Sequence, residues 1–257
     1  MKTKSHIEYY QGNMNYMKML SHVDLDLYNK YLEFMSSKNR ETTVLDVGCG
    51  IGTVVNKLTK LSEGKYVGVD VSELFINRAK KGSGTFKLFD GENLPFKNNS
   101  FDKVGAFTVL EHTENPVGLI YEMARVLKKG GKVIISCPNF LRVAGLYSDH
   151  PKTNGLINPL INLQNLIRKY IYSYFAPAWM NFEKMLPILS TPFKADYDAI
   201  IATNPIDVRF FLKKKNVKII YQSGMVNYSR NKLLNYISMI PFVRDMTGGF
   251  FIVGTKI

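Results

Sequence analysis

Thr43-Val44-Leu45-Asp46-Val47-Gly48-Cys49-Gly50-Ile51-Gly52-Thr53 is the stretch from which the fold can be argued. Its first five residues form a short apolar run rich in β-branched side chains, with charged residues before it and glycines after, which is the pattern of a buried parallel strand. Gly48, Gly50 and Gly52 then alternate with Cys49 and Ile51, and Thr53 to Leu58 opens a helical pattern. Strand, glycine turn and helix in that order set backbone amides and a helix N-terminus against a ligand. Glycine lets that ligand lie close, because it has no Cβ and tolerates positive φ. The spacing is G-x-G-x-G, whereas dinucleotide sites that cradle a pyrophosphate use G-x-G-x-x-G. Asp46 lies two positions before the first glycine, where a carboxylate opposes a pyrophosphate and suits a positively charged ligand.

Outward from this stretch, strands and helices alternate. Lys65 to Asp70 reads as a second strand, and Ser72 as the N-cap of a helix over 73–80 with Glu73 in its first turn. Thr85 to Asp90 alternates as a third strand, Asp102 to Phe107 as a fourth, and Pro116 to Leu127 as a helix with proline near its start. Lys129-Gly130-Gly131 supplies a turn before a fifth strand, Lys132 to Ser136. This rhythm predicts right-handed crossovers and a parallel sheet covered on both faces. It stops after Asn139 and resumes near Asn204. Between them lie five prolines and an aromatic helical piece over 160–175, read as an insertion at the carboxyl end of strand five, where open α/β sheets bind ligands. A helix over 206–214, a strand over 217–221, a helix over 232–240 and a last strand over 250–255 complete the chain. Before the first strand, residues 5–19 are dense in Tyr and Met, and 24–35 has helical spacing, expected to pack on the sheet edge or over the site.

The chain has 257 residues, enough for one α/β domain with an insertion. Four parts are expected: an N-terminal helical cap over 1–40, a nucleotide-binding core over 41–139, the insertion or lid over 140–203, and the rest of the core sheet over 204–257. Two cysteines, Cys49 and Cys137, have neither the density of a disulfide scaffold nor metal-ligand spacing, so a reducing cytosol is the expected location. The N-terminus lacks the apolar core of a signal peptide, and no run suits a spanning helix. The net charge of +13 favours anionic partners in general: nucleic acid, phosphorylated metabolites or an anionic membrane.

VLDVGCGIG at 44–52, GVDVS at 68–72, FDGENLPF at 89–96, SFDKV at 100–104 with TVLEH at 108–112, and EMARVLKKGGKVIIS at 122–136 occur in order and at family spacing. This set resembles the class I S-adenosylmethionine-dependent methyltransferases, and among them the small-molecule enzymes of the ubiquinone and menaquinone biosynthesis type. The resemblance covers about residues 40–139. It implies a doubly wound, Rossmann-like, mostly parallel seven-stranded sheet with an antiparallel last strand, and S-adenosyl-L-methionine as cofactor. It also implies that Asp46, Gly48, Cys49, Gly50 and Gly52 surround the methionine part and that Asp70, with Val71, holds the ribose hydroxyls. Asp90 would bond the adenine amino group with Gly91 and Glu92 beside it, and Thr108 to His112, Leu110 included, would close the methionine end. No metal is called for.

In such a reaction the cofactor already carries an activated methyl, so the protein mainly aligns reactants and removes a proton. His112 is the expected proton acceptor, because imidazole titrates near neutral pH; His150, Tyr9 and Tyr10 are its rivals. Glu111 is expected to be structural or cofactor-facing. The N-terminal tyrosines can either close over a sulfonium or simply pack. The expected acceptor is a small molecule methylated on oxygen: a sugar, a glycan or lipid-linked intermediate, or a quinone precursor. Carbon methylation of a quinone ring, RNA methylation and cofactor binding without turnover are the alternatives. Nucleic acid is disfavoured because the residues after strand four are Thr-Val-Leu-Glu-His, not the Asn-Pro-Pro-Tyr type of base-amine enzymes. The stretch 156–179 is expected to be either a lid or a contact with a membrane surface.

Overall fold

The computed structural model describes residues 6–11, 13–21, 28–143, 150, 151, 153, 157–188, 194, 196–224, 236 and 240–257. Seven strands form one sheet: β1 (Thr43–Val47), β2 (Lys65–Asp70), β3 (Thr85–Leu88), β4 (Phe101–Phe107), β5 (Leu127–Cys137), β8 (Val217–Gly224) and β9 (Phe250–Lys256). Their order is β3-β2-β1-β4-β5-β9-β8. The pairs from β3 to β5 are parallel, and β9 runs antiparallel to both β5 and β8. β6 (Glu183–Lys184) and β7 (Ile201–Ala202) pair separately.

Side chains alternate across the sheet and so build two cores. In β9, Phe250 and Ile252 pack with Leu45, Val104 and Ile120, whereas Phe251 and Val253 pack with Val44, Val55 and Ile76. Helices α6 (Pro116–Val126) and α8 (Pro205–Lys214) cover the first face; α3 (Asn29–Met35), α4 (Thr53–Leu61) and α5 (Glu73–Ala79) cover the second. Ser72 caps α5 as expected, accepting from Phe75 N–H, and Asn115 and Asn204 cap α6 and α8, which start with proline.

Three differences from the sequence expectation have local causes. The Lys129-Gly130-Gly131 turn is absorbed into β5 as an irregularity: Phe101 pairs with Leu127 and Lys103 with Lys132, with Gly130 at φ +77° between them. The helix of the insertion begins earlier, as α7 (Ile157–Phe175). Only Asn29–Met35 of the helix expected over 24–35 is assigned; residues 22–27, and almost all of 232–240, lie outside the described residues. Two further helices, α1 (His6–Gln11) and α2 (Met14–Ser21), precede α3.

Candidate active site

The ends of β1, β2 and β4 and the turn after β3 open into one cleft of ≈ 190 Å³. It lies where the strand order reverses, between β1 and β4, the position at which open α/β sheets take ligands. Gly48 is indispensable to its shape: its φ is +69°, and a Cβ there would sit 2.4 Å from Val109 Cγ2. Gly48, Cys49 and Gly50 line the cleft. Gly52 has another task, capping α4 where a Cβ would meet the Phe86 ring at 2.7 Å.

The three acids at strand ends converge on this cleft, each held differently. Asp46 is buried, its Oδ1 accepts from Tyr31 Oη at 2.6 Å, and burial pushes its carboxyl up to about 7. Asp70 is also buried; its Oδ2 accepts from Gly50 N–H at 2.8 Å and its Oδ1 from Ser72 N–H at 2.9 Å. Burial raises its pKa, with those N–H groups opposing the rise. Asp90 is exposed and accepts from Glu92 N–H and Asn93 N–H, which hold its carboxyl below the usual range. Val71, Gly91, Glu92 and Thr108 also line the cleft. Leu110 does not: it is fully buried in the main core, and Val109 faces the cleft instead. The cause is Thr108, whose φ of +52° breaks the strand's alternation and leads into a tight 3-10 turn over Leu110–His112.

Beside the cleft, three residues from distant parts of the chain meet. Tyr10 Oη donates to Asp198 Oδ2 at 2.7 Å and lies 3.0 Å from His112 Nδ1. With the phenolic proton on the carboxylate, a neutral imidazole would meet Tyr10 with Nδ1–H and keep its lone pair on Nε2, the nitrogen that lies 3.9 Å from Glu111 Oε1. Burial, then neighbouring Tyr16 and Asp198, raise the Tyr10 pKa far above its ordinary value, so Tyr10 stays a phenol and serves as an orienting group. Tyr9 is also raised, chiefly by burial. His150 is buried edge-on between Phe140 and Tyr197, outside the cleft lining. Glu111 is completely buried; burial, then Asp196, drive its pKa well up, making it a neutral acid beneath the site.

Sequence reasoning did not single out Asp198, Tyr31 or Phe107. Asp198 lies in irregular chain with no periodicity to mark it. Tyr31 falls within the helical spacing of 24–35, and its hydroxyl partner lies on another element.

The lining answers whether S-adenosylmethionine fits. It includes five carboxylates, Asp46, Asp70, Asp90, Glu92 and Glu114, and among the described residues no Lys or Arg, in a chain of net charge +13. Such a cleft repels phosphate and attracts a cation. Tyr10, Tyr16, Tyr28, Phe75 and Phe107 add aromatic faces, with the Tyr28 and Phe107 rings 4.5 Å apart. An adenosyl sulfonium with an amino group suits both features.

Sheet order and cleft together show the fold of the class I methyltransferases, with a lining that suits S-adenosylmethionine. Residues 45–135 match the family model described as a methyltransferase domain. Cycloartenol-C-24-methyltransferase 1 of Oryza sativa subsp. japonica is 38% identical over 95 residues, 34% of this chain and 28% of that protein. The tRNA U34 carboxymethyltransferase of Campylobacter fetus is 33% identical over 114 residues, 42% of this chain and 40% of that one. Phosphoethanolamine N-methyltransferase 2 of Haemonchus contortus, solved with S-adenosyl-L-methionine, superposes with a TM-score of 0.62 at 15% identity, covering 99% of this chain and 60% of that chain. The chain spans between 25% and 51% of the lengths of the first curated relatives it matches. The relatives include proteins named for sterol and for tRNA substrates, and the latter argues against the sequence-based expectation that nucleic acid is disfavoured.

Proposed function

We propose that this protein transfers a methyl group from S-adenosylmethionine to an oxygen of a small-molecule acceptor: a sugar, a glycan or lipid-linked intermediate, or a quinone precursor. The observation that carries the reading is an acidic, aromatic cleft without Lys or Arg among its described lining residues, which includes a histidine held by Tyr10. Bound there, the cofactor would supply a methyl already activated on a sulfonium. Asp46 would face its amino group, Asp70 its ribose hydroxyls and Asp90 its adenine edge. His112 takes the acceptor's hydroxyl proton at Nε2, while Tyr10 and Asp198 hold the ring and stabilise the imidazolium that forms. Residues 140–203 act as the lid on the acceptor side, a role supported by Asp198 reaching Tyr10 from within that stretch.

Two substitutions test this. Asp70→Ala removes a charged acceptor, worth about 1.5–3 kcal/mol, and should weaken S-adenosylmethionine binding by roughly 10- to 150-fold in calorimetry. His112→Ala should leave that binding nearly unchanged and lower turnover by about 10²- to 10⁴-fold, followed as S-adenosylhomocysteine released across a panel of hydroxylated acceptors. Unchanged affinity in the first, or full activity in the second, removes the corresponding assignment. An RNA acceptor is the second reading, favoured by the chain's net charge of +13 and the relative named as a tRNA enzyme. Including tRNA in the same panel separates the two.

A further inference from the structure

Helix α7 buries polar side chains beside an apolar cluster and leaves large apolar ones exposed. Its buried residues are Asn162, Leu166 and Lys169. Asn162 Nδ2 donates to the Arg142 carbonyl, and Lys169 Nζ donates to Asp207 Oδ2 at 2.9 Å and to the Asn181 carbonyl. Outward it presents Ile157, Leu160, Ile161, Ile171, Tyr174 and Phe175, a stripe at helical spacing, with Leu160 70% and Phe175 85% exposed. Trp179 extends the stripe just beyond the helix, 67% exposed and edge-on to Tyr172. A contiguous apolar stripe along about 28 Å of helix marks a surface made to be covered.

We infer that this face docks on an anionic lipid bilayer, lying in its plane. Charge selects that occupant. Residues 150–182 contain no Asp or Glu, Arg168 stands on the outward side of α7, and the whole chain carries +13. Arg168 reaches Glu183 at 3.0 Å, an exposed pair whose guanidinium a lipid phosphate can take over. Tyr174, Phe175 and Trp179 cluster at one end, and Tyr and Trp are side chains that settle at the headgroup boundary. No described helix is long and apolar enough to cross a membrane, which suits in-plane contact.

The test uses the full chain with vesicles of phosphatidylglycerol and phosphatidylcholine, against phosphatidylcholine alone. Trp179 is the single tryptophan, so its fluorescence reports this face alone. The expected result is co-sedimentation with the anionic vesicles, a blue-shifted Trp179 emission and quenching by acyl-brominated lipid. Ile171→Ser/Phe175→Ser alters exposed positions, so its circular dichroism and melting should match the parent while vesicle affinity falls at least about tenfold. Absence of binding, binding without Trp179 quenching, or affinity untouched by the double substitution overturns the proposal. So does a dimer in gel filtration that the same substitution dissociates, since a second copy would then be the occupant.

Discussion

Asp46 answers two opposed demands. It must be charged to draw a cation, yet burial raises it from an ordinary 3.8 to about 7. A raised carboxyl stabilises the fold fully below its unfolded pKa, and that stability is lost as pH rises towards the folded pKa. Asp46→Asn keeps an acceptor for Tyr31 without the buried charge. Without cofactor, the variant should therefore match the parent below about pH 4 and exceed it by on the order of 1–4 kcal/mol above pH 7 in urea titrations. For S-adenosylmethionine the sign reverses. Parent affinity should fall as pH drops below about 7, by up to about tenfold per unit, and the variant should bind weakly throughout. Asp46, Asp70 and Asp90 could be found by counting along the chain, because each lies within two residues of a strand's end. Tyr31 could not, since only the packing of α3 on the sheet brings its hydroxyl to Asp46. Gly105 makes that approach possible: a Cβ there would lie 2.1 Å from Tyr31 Oη.

Helix α7 is tied to the core by a buried ion pair as well as by the apolar contacts of Leu166, Tyr170 and Tyr172. Lys169 and Asp207 are both almost fully buried and paired at 2.9 Å. Lys169→Met strands the carboxylate and should cost about 3–5 kcal/mol in equilibrium unfolding. Adding Asp207→Asn should recover much of that loss, because the uncompensated charge is then gone. Element by element, β1, α4, β2, α5 and α6 follow directly from local pattern and capping, which act over a few residues. The polarity of α7 does not, since its spacing is the same whether the apolar stripe faces the core or the solvent. The turn expected before strand five was misplaced for a related reason, since its residues are accommodated inside a pairing with β4 that only the sheet defines.

On the scale of the molecule, a basic exterior surrounds an acidic cleft. Ligand that binds only the folded chain stabilises it by mass action, so S-adenosylmethionine at about 100 times its dissociation constant should add about 2.7 kcal/mol. For a chain of this size that is roughly 5–10 °C in Tm by calorimetry, and a nucleotide lacking the positive sulfonium should give much less. The sequence alone determined the layered α/β order, the glycine bend and the strand-end acids, because hydrophobic periodicity and backbone preference are local properties. The tertiary structure alone decided that Tyr10, His112 and Asp198 meet, and that Leu110 leaves the cleft to Val109. The physical reason is separation along the chain: Tyr10 and Asp198 are 188 residues apart, and no short-range pattern encodes a contact made only when helix α1 and the turn carrying Asp198 meet in the folded chain.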